Sequence, residues 1–243
     1  MWPDLPKPES SYSPYSRTEE VGQSVKGVPI KLIEVGRGTE GVLVFGGFHG
    51  DEWQSTYVAE RLVDYLIGTR SVLPSRKVVV VPEVNPDGLA VRKRFNANGV
   101  DINRNFPTAN WCPAGPKSPE RHGLRPASEP ETQIVRDLIW RYRPKLIVSI
   151  HNIHRGRHCV NYDGPAEDLA ETMGRCCGYP VKRFLGYATP GSLGTFAGVE
   201  RNIPTITLEM PRNETAQACW HQTRAALLAA VAYTPEPAPA AAK

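Results

Sequence analysis

No stretch of this 243-residue chain approaches the ~20 consecutive apolar residues of a membrane span. The opening residues, Met-Trp-Pro-Asp-Leu-Pro-Lys-Pro-Glu-Ser-Ser-Tyr, lack the apolar core of a secretory signal. Cysteine is scarce and unpatterned. Cys112, Cys159, Cys176, Cys177 and Cys219 are odd in number and show neither zinc-knuckle nor redox Cys-x-x-Cys spacing. Reduced thiols in a cytoplasm are the expectation. Long basic blocks are also missing. The formal charge of +4 and the pI of 8.8 come from dispersed residues and give nucleic-acid binding no specific support. There is no Walker loop, Gly191-Ser192-Leu193-Gly194 is not a nucleophile elbow, and no catalytic-triad order emerges. Asn213-Glu-Thr215 matches a glycosylation sequon, which means little without a secretion signal.

What is present suits an α/β domain. Hydrophobic residues make up 40%, enough for a sizeable core, and the length fits one large domain. We expect an irregular segment over 1–20, a single domain over 21–233 and a disordered Pro/Ala tail over 234–243. Residues 22–36 read as a hairpin turning near Gly27, and 41–47 and Lys77 to Pro82 as buried strands. Between the latter two, Val58, Leu62, Val63 and Leu66 recur at helical spacing. Ser128 and Glu131 form a capping-box pattern before a helix with Ile134, Leu138 and Ile139 on one face. Leu146 to Ile150 and Thr205 to Glu209 read as further strands, with helices near 165–177 and 215–232. Strands alternating with helices predict a mixed, mostly parallel twisted sheet with helices on both faces. Residues 85–127 are irregular, and so long a loop region within a compact domain is usually functional.

Ligands of such sheets bind beyond the carboxyl ends of the strands. Three chemically capable residues fall at or just beyond such an end: His49, in Gly46-Gly47-Phe48-His49-Gly50-Asp51-Glu52, His151 and Glu209. A catalytic zinc takes three protein ligands and keeps a position open. His49 and Glu52 can supply a local pair and His151 a distant third. Taken singly, each reads as readily as a polar helix start or a strand-edge histidine. Glu209, a charge ending an apolar strand, is costly without a purpose. It suits a carboxylate that takes a proton from water and passes it to a leaving amine. Arg104 suits a carboxylate ligand through its planar fork, although a lone arginine is by default a loop salt bridge. Cys176-Cys177 suggests packing, and His122 and His221 suggest solvated side chains.

The loop Arg94-Phe-Asn-Ala-Asn-Gly-Val-Asp-Ile-Asn103-Arg104-Asn-Phe-Pro107 makes the pattern specific. With Gly46 to Glu52, Val84 to Gly88, Ser128 to Gln133, Ser149 to His151, Gly186 to Phe196 and Thr207 to Pro211, it resembles the zinc carboxypeptidases of the carboxypeptidase A type. Within them the chain is most similar to bacterial members that recycle cell-wall peptides. The resemblance spans about residues 41 to 211 and implies one Zn2+ per chain held by His49, Glu52 and His151, with Glu209 as the catalytic base. It implies that Arg94 steadies the developing oxyanion, that Asn103 and Arg104 grip the substrate's terminal carboxylate, and that Tyr187, 22 residues before Glu209, closes over the substrate. The implied substrate is a small peptide, a murein tripeptide cleaved at its γ-D-glutamyl–meso-diaminopimelate bond. Zinc would polarise the scissile carbonyl and acidify the attacking water.

One segment departs from that pattern. Asn152-Ile-His154-Arg155-Gly-Arg157-His158 is unusually basic. It is either a solvated loop or an anion-binding edge suited to the α-carboxylate of a γ-D-glutamyl group. Two other readings stay open: an N-acyl-amino-acid deacylase of the aspartoacylase type, disfavoured by Asn103 to Pro107 and Thr189 to Ser192, and a non-catalytic peptide-binding protein, disfavoured by the intact set of His49, Glu52, His151 and Glu209.

Overall fold

The computed structural model describes residues 16–38, 40–69, 76–113, 121–154 and 156–234. Residues 235–243 of the expected tail, Arg155 and residues 1–15 lie outside them. Strands β1 (Ser16–Gln23), β2 (Pro29–Val35), β3 (Glu40–Phe45), β4 (Arg76–Val81), β5 (Leu146–Ile153), β6 (Cys159–Asp163), β7 (Val181–Lys182) and β8 (Thr205–Pro211) form one sheet. Its order is β1-β2-β4-β3-β5-β8-β6-β7. The central run β4-β3-β5-β8 is parallel; β1, β2 and β6 join antiparallel neighbours. The sheet is therefore mixed with a parallel centre, as expected.

Valine-rich strands buried on both faces fit that centre, and alternation assigns each face its own core. Val42, Val44, Val78, Val80, Val148 and Ile150 pack with apolar residues of α1 (Trp53–Gly68), α4 (Glu167–Cys177) and α5 (Ala216–Ala232). Leu43, Phe45, Val79, Val81 and Ile147 face the other way, onto Val135, Leu138 and Ile139 of α3 (Pro130–Tyr142), which the short α2 (Pro86–Ala90) precedes in the chain. Among the described residues no helix is long and apolar enough to cross a membrane.

Several local expectations are corrected. β1 begins at Ser16, inside the stretch read as irregular, because its residues pair along β2 from Ser16↔Val35. β5 and β8 run on past their expected ends, to Ile153 and Pro211, so His151 and Glu209, expected at or just beyond a strand end, lie two residues inside them and sit opposite one another in the parallel register. β6 and β7 were not anticipated. The Ser128 capping box does not form. α3 starts at Pro130 without a side-chain cap, and Glu131 instead accepts from the Val25 N–H (3.1 Å) and Asn96 Nδ2 (3.0 Å). Glu129 accepts from Asn96 and Asn98, each at 2.8 Å. These carboxylates tie the loop that follows Arg94 to the helix behind it. His122 is buried, not solvated, with Nδ1 2.7 Å from the Cys112 carbonyl oxygen.

Candidate metal centre and cleft

β3 ends at Phe45, and the turn that follows delivers His49 and Glu52. Glu52 is the N-cap of α1 yet makes no side-chain cap bond, although a capping side chain contributes about 1 kcal/mol to a helix. Its carboxylate is directed inward instead. Oε1 lies 3.0 Å from His49 Nδ1 and Oε2 2.9 Å from His151 Nδ1. The Asn152 N–H donates to Oε2 (3.0 Å) and Arg212 to Oε1 (2.9 Å). Phe48 stacks on the His151 ring at 5.4 Å. His49, Glu52 and His151 are at most 3% exposed, and one ligand atom from each lies within 4.8 Å of the others.

These residues fit a catalytic zinc. Two imidazoles and one carboxylate are donors that Zn2+ accepts while a further position stays open. The tautomer also fits. His49 Nε2 sits 3.0 Å from Asp101 Oδ1, and a proton held there leaves Nδ1 as the lone-pair nitrogen turned toward Glu52. Burial alone would lower the His49 pKa, but the negative charges of Glu52 and Asp101 raise it to about 9. The centre is built to stabilise positive charge.

The remaining candidates line the same cleft, of about 340 Å³. Glu209 is 7% exposed. Burial pushes its carboxyl up and the Glu52 charge adds to this, with His151 offsetting part. Arg94 is clamped by Asp101, Nε at 3.0 Å and Nη2 at 2.7 Å from Oδ2, with Nη1 3.4 Å from Glu52 Oε1. Asn103 accepts the Leu193 N–H through Oδ1 at 2.8 Å, and its Nδ2 lies 3.4 Å from His151 Nε2. Arg104 is buried and donates through Nη1 to the Asn103 carbonyl (2.9 Å). Tyr187 is half-exposed on the rim, its ring 5.5 Å from the Arg157 guanidinium. The cleft thus brings together all eight candidate residues. From the basic segment, Asn152, His154 and Arg157 also line it, whereas His158 packs against Tyr179 at 4.8 Å.

Sequence reasoning missed Asp101, which is wholly buried and holds both His49 and Arg94. Its sequence signal was only that of a local turn, for its side chain also accepts the Asn103 N–H. Arg212, bridging Asp51 at 2.8 Å and Glu52 at 2.9 Å, carried no recognisable spacing. Asn161 and Asp163, also in the cleft wall, lie on the strand that was overlooked.

Fold and centre together define a zinc metallopeptidase, and the chain belongs to the zinc carboxypeptidase family, whose sequence profile matches residues 5–173. It is an enzyme of that family. Among individual proteins, it is 36% identical over 207 residues to murein peptide amidase A of Escherichia coli strain K12, covering 80% of this chain and 81% of the relative. It is 35% identical over 206 residues to murein peptide amidase A of Vibrio campbellii, covering 78% and 77%. The crystal structure of murein-tripeptide amidase MpaA from Escherichia coli O157 superposes with a TM-score of 0.73 at 31% identity, covering 90% and 93%. Carboxypeptidase A of Helicoverpa armigera, at 20% identity and a TM-score of 0.76 over 90% and 69%, shares the fold.

Proposed function

We propose that this protein is a monozinc carboxypeptidase that hydrolyses the γ-D-glutamyl–meso-diaminopimelate amide of murein tripeptide, a cytoplasmic product of wall turnover. The observation that carries the reading is the single cleft in which the His49–Glu52–His151 donor set, Glu209 and the Asn103–Arg104 pair all converge. The names of the relatives support the substrate, and the five unpaired thiols accord with a reducing compartment.

His49, Glu52 and His151 hold the metal. Zinc, when bound, supplies Lewis acidity to the scissile carbonyl and to the attacking water. Glu209 accepts the water's proton and returns it to the leaving nitrogen. Its carboxyl, raised by burial, is closer in proton affinity to what it must exchange with near neutrality. Arg94 stabilises charge developing on the carbonyl oxygen. Asp101 fixes its guanidinium beforehand, so little reorganisation is needed as the charge appears. Arg104 and Asn103 take the terminal carboxylate, and Tyr187 closes from the rim. Arg157 offers a positive charge to the α-carboxylate of the γ-D-glutamyl group.

The test is a substrate panel with zinc-loaded protein: murein tripeptide, the same peptide blocked as its C-terminal amide, ordinary C-terminal peptides and N-acyl amino acids. Murein tripeptide should be cleaved with the highest kcat/KM, and blocking its carboxylate should abolish most of that rate. Preferential cleavage of N-acyl amino acids would establish the deacylase reading instead.

A further inference from the structure

The rim tyrosine sits on a segment with few ties to the rest of the protein. Residues Phe184 to Ala188, which follow β7, belong to no helix or strand, and all but Leu185 are exposed. Among the described residues this segment makes one hydrogen bond, and Arg157 supplies it. Nη2 donates to the Leu185 carbonyl at 2.9 Å. The next tie along the chain is the Ser192 N–H on the Thr189 carbonyl, at 3.3 Å.

Arg157 does more than reach one carbonyl. Its guanidinium lies 5.5 Å from the centre of the Tyr187 ring, within the ~6 Å over which a cation is drawn to an aromatic face. Gly186, with φ +88°, turns the chain between the two contacts. A Cβ on Gly186 would itself stand 3.7 Å from Nη2. Three successive residues thus gather on one side chain. The arginine is anchored in turn, for its N–H donates to the His154 carbonyl at 3.0 Å in the connection from β5 to β6. Arg157, Leu185 and Tyr187 all line the cleft.

Arginine suits such a post. Its planar guanidinium offers a face to a ring and donors in its plane at the same time, which an ammonium cannot do. A segment with few buried contacts opens at little cost. A single hydrogen bond from a charged donor then changes its closed population by a large factor.

We propose that Arg157 is a positioning residue for Tyr187, latching Phe184 to Ala188 onto the β5–β6 connection at the cleft rim. The proposal rests on the reading that Tyr187 closes over the substrate. Without the latch the tyrosine is in place for only part of the time, and kcat/KM falls by that fraction. Among the described residues Nε and Nη1 of Arg157 have no hydrogen-bond partner, so they stay available to the substrate's α-carboxylate. One side chain can then meet the substrate and hold the residue that covers it.

Two measurements on zinc-loaded protein test this. The first is kcat/KM for wild type, Arg157→Gln, Tyr187→Ala and the double variant, on murein tripeptide and on a matched peptide lacking the γ-D-glutamyl α-carboxylate. Arg157→Gln should lose roughly tenfold or more on both peptides. On the peptide without the carboxylate, the same substitution in the Tyr187→Ala background should cost no more than about twofold, because the two residues act through one contact. The second is chymotryptic nicking at Phe184 to Tyr187, located by mass spectrometry, which needs no substrate. Its rate follows the opened population and should rise roughly tenfold in Arg157→Gln. Nicking confined to this segment also shows that the variant is otherwise folded. A loss restricted to the peptide that carries the carboxylate, a full loss that persists in the Tyr187→Ala background, or unchanged nicking overturns the latch. If Tyr187→Ala alone leaves kcat/KM unchanged, the closing-tyrosine reading fails and the positioning role falls with it. A wild type that cleaves neither peptide would instead overturn the murein-peptide reading, and the nicking rate alone would then decide the latch.

Discussion

At the scale of single residues, the centre shows which roles spacing can reveal. His49 and Glu52 are three residues apart, a spacing that allows a local pair of ligands but by itself reads as a polar helix start, and only the motifs around it made it specific. Glu209 was suggested by the cost of a charge ending an apolar strand, whereas Arg104, by itself a loop salt bridge, took its expected role only from the resemblance carried by Asn103 to Pro107. Asp101 was not legible. Its partner His49 lies 52 residues away, and nothing local distinguishes it from a turn aspartate. Burial opposes its negative charge, but His49 and Arg94 hold its carboxyl well below the usual range. It is therefore a fixed anion behind a metal ligand. Such partners set the ligand's tautomer and basicity, and their loss costs about tenfold to hundredfold in metal affinity. Asp101→Asn keeps the shape and removes the charge, so the zinc dissociation constant should rise by that factor in competition with a chromophoric chelator. kcat should fall as well, since Arg94 loses its clamp. Unchanged zinc affinity in this variant would confine Asp101 to positioning Arg94.

At the scale of elements, what escaped the sequence was whatever tertiary partners overrode. Cys159-Val-Asn-Tyr-Asp163 mixes polar and apolar residues without a buried-strand signature, because one of its faces lines the cleft. The capping box failed because Glu131 is recruited by Val25 and Asn96. The strongly apolar elements, β3, β4, β5 and α1, were found because their burial is two-sided or strictly periodic. The loop pair around the proposed carboxylate grip is instead held by close backbone approach. The Phe106 N–H donates to the Gly191 carbonyl at 2.9 Å. Gly191 has φ +67°, and a Cβ on it would meet the Arg104 carbonyl oxygen at 2.2 Å. Gly191→Ala must therefore adopt a left-handed conformation at a cost of about 1–2 kcal/mol and also push the Arg104 backbone away. Misplacement on the order of 1 Å can cost a hundredfold in rate. We expect kcat/KM to fall by at least about tenfold, with a melting temperature lower by roughly 2–8 °C at 2–4 °C per kcal/mol. A variant that melts earlier but keeps its kcat/KM would show that the grip does not depend on this contact.

At the scale of the whole molecule, the parallel centre makes metal binding and folding separable. His49 and Glu52 follow β3, and His151 lies on β5. These strands are already neighbours, paired from Val42↔Leu146 to Phe45↔Ser149, with apolar cores on both faces. A metal here joins segments that the sheet has brought together. Small zinc domains differ, since in them the metal supplies the folding free energy itself. The Glu52 carboxylate also has partners within the protein: Arg212 and the Asn152 N–H, with Arg94 Nη1 near by. Chelation should thus abolish activity while leaving the far-ultraviolet dichroism of a folded α/β protein. The loss of stability is set by mass action. Zinc at a hundred times its dissociation constant contributes about 2.7 kcal/mol. In a chain of this size that amounts to a melting temperature roughly 5–11 °C lower on removal, restored together with activity when zinc is returned. Calorimetric scans of native, chelated and reconstituted protein measure both. Collapse of secondary structure on chelation would mean that the metal, and not the strand pairing, holds β3 and β5 together.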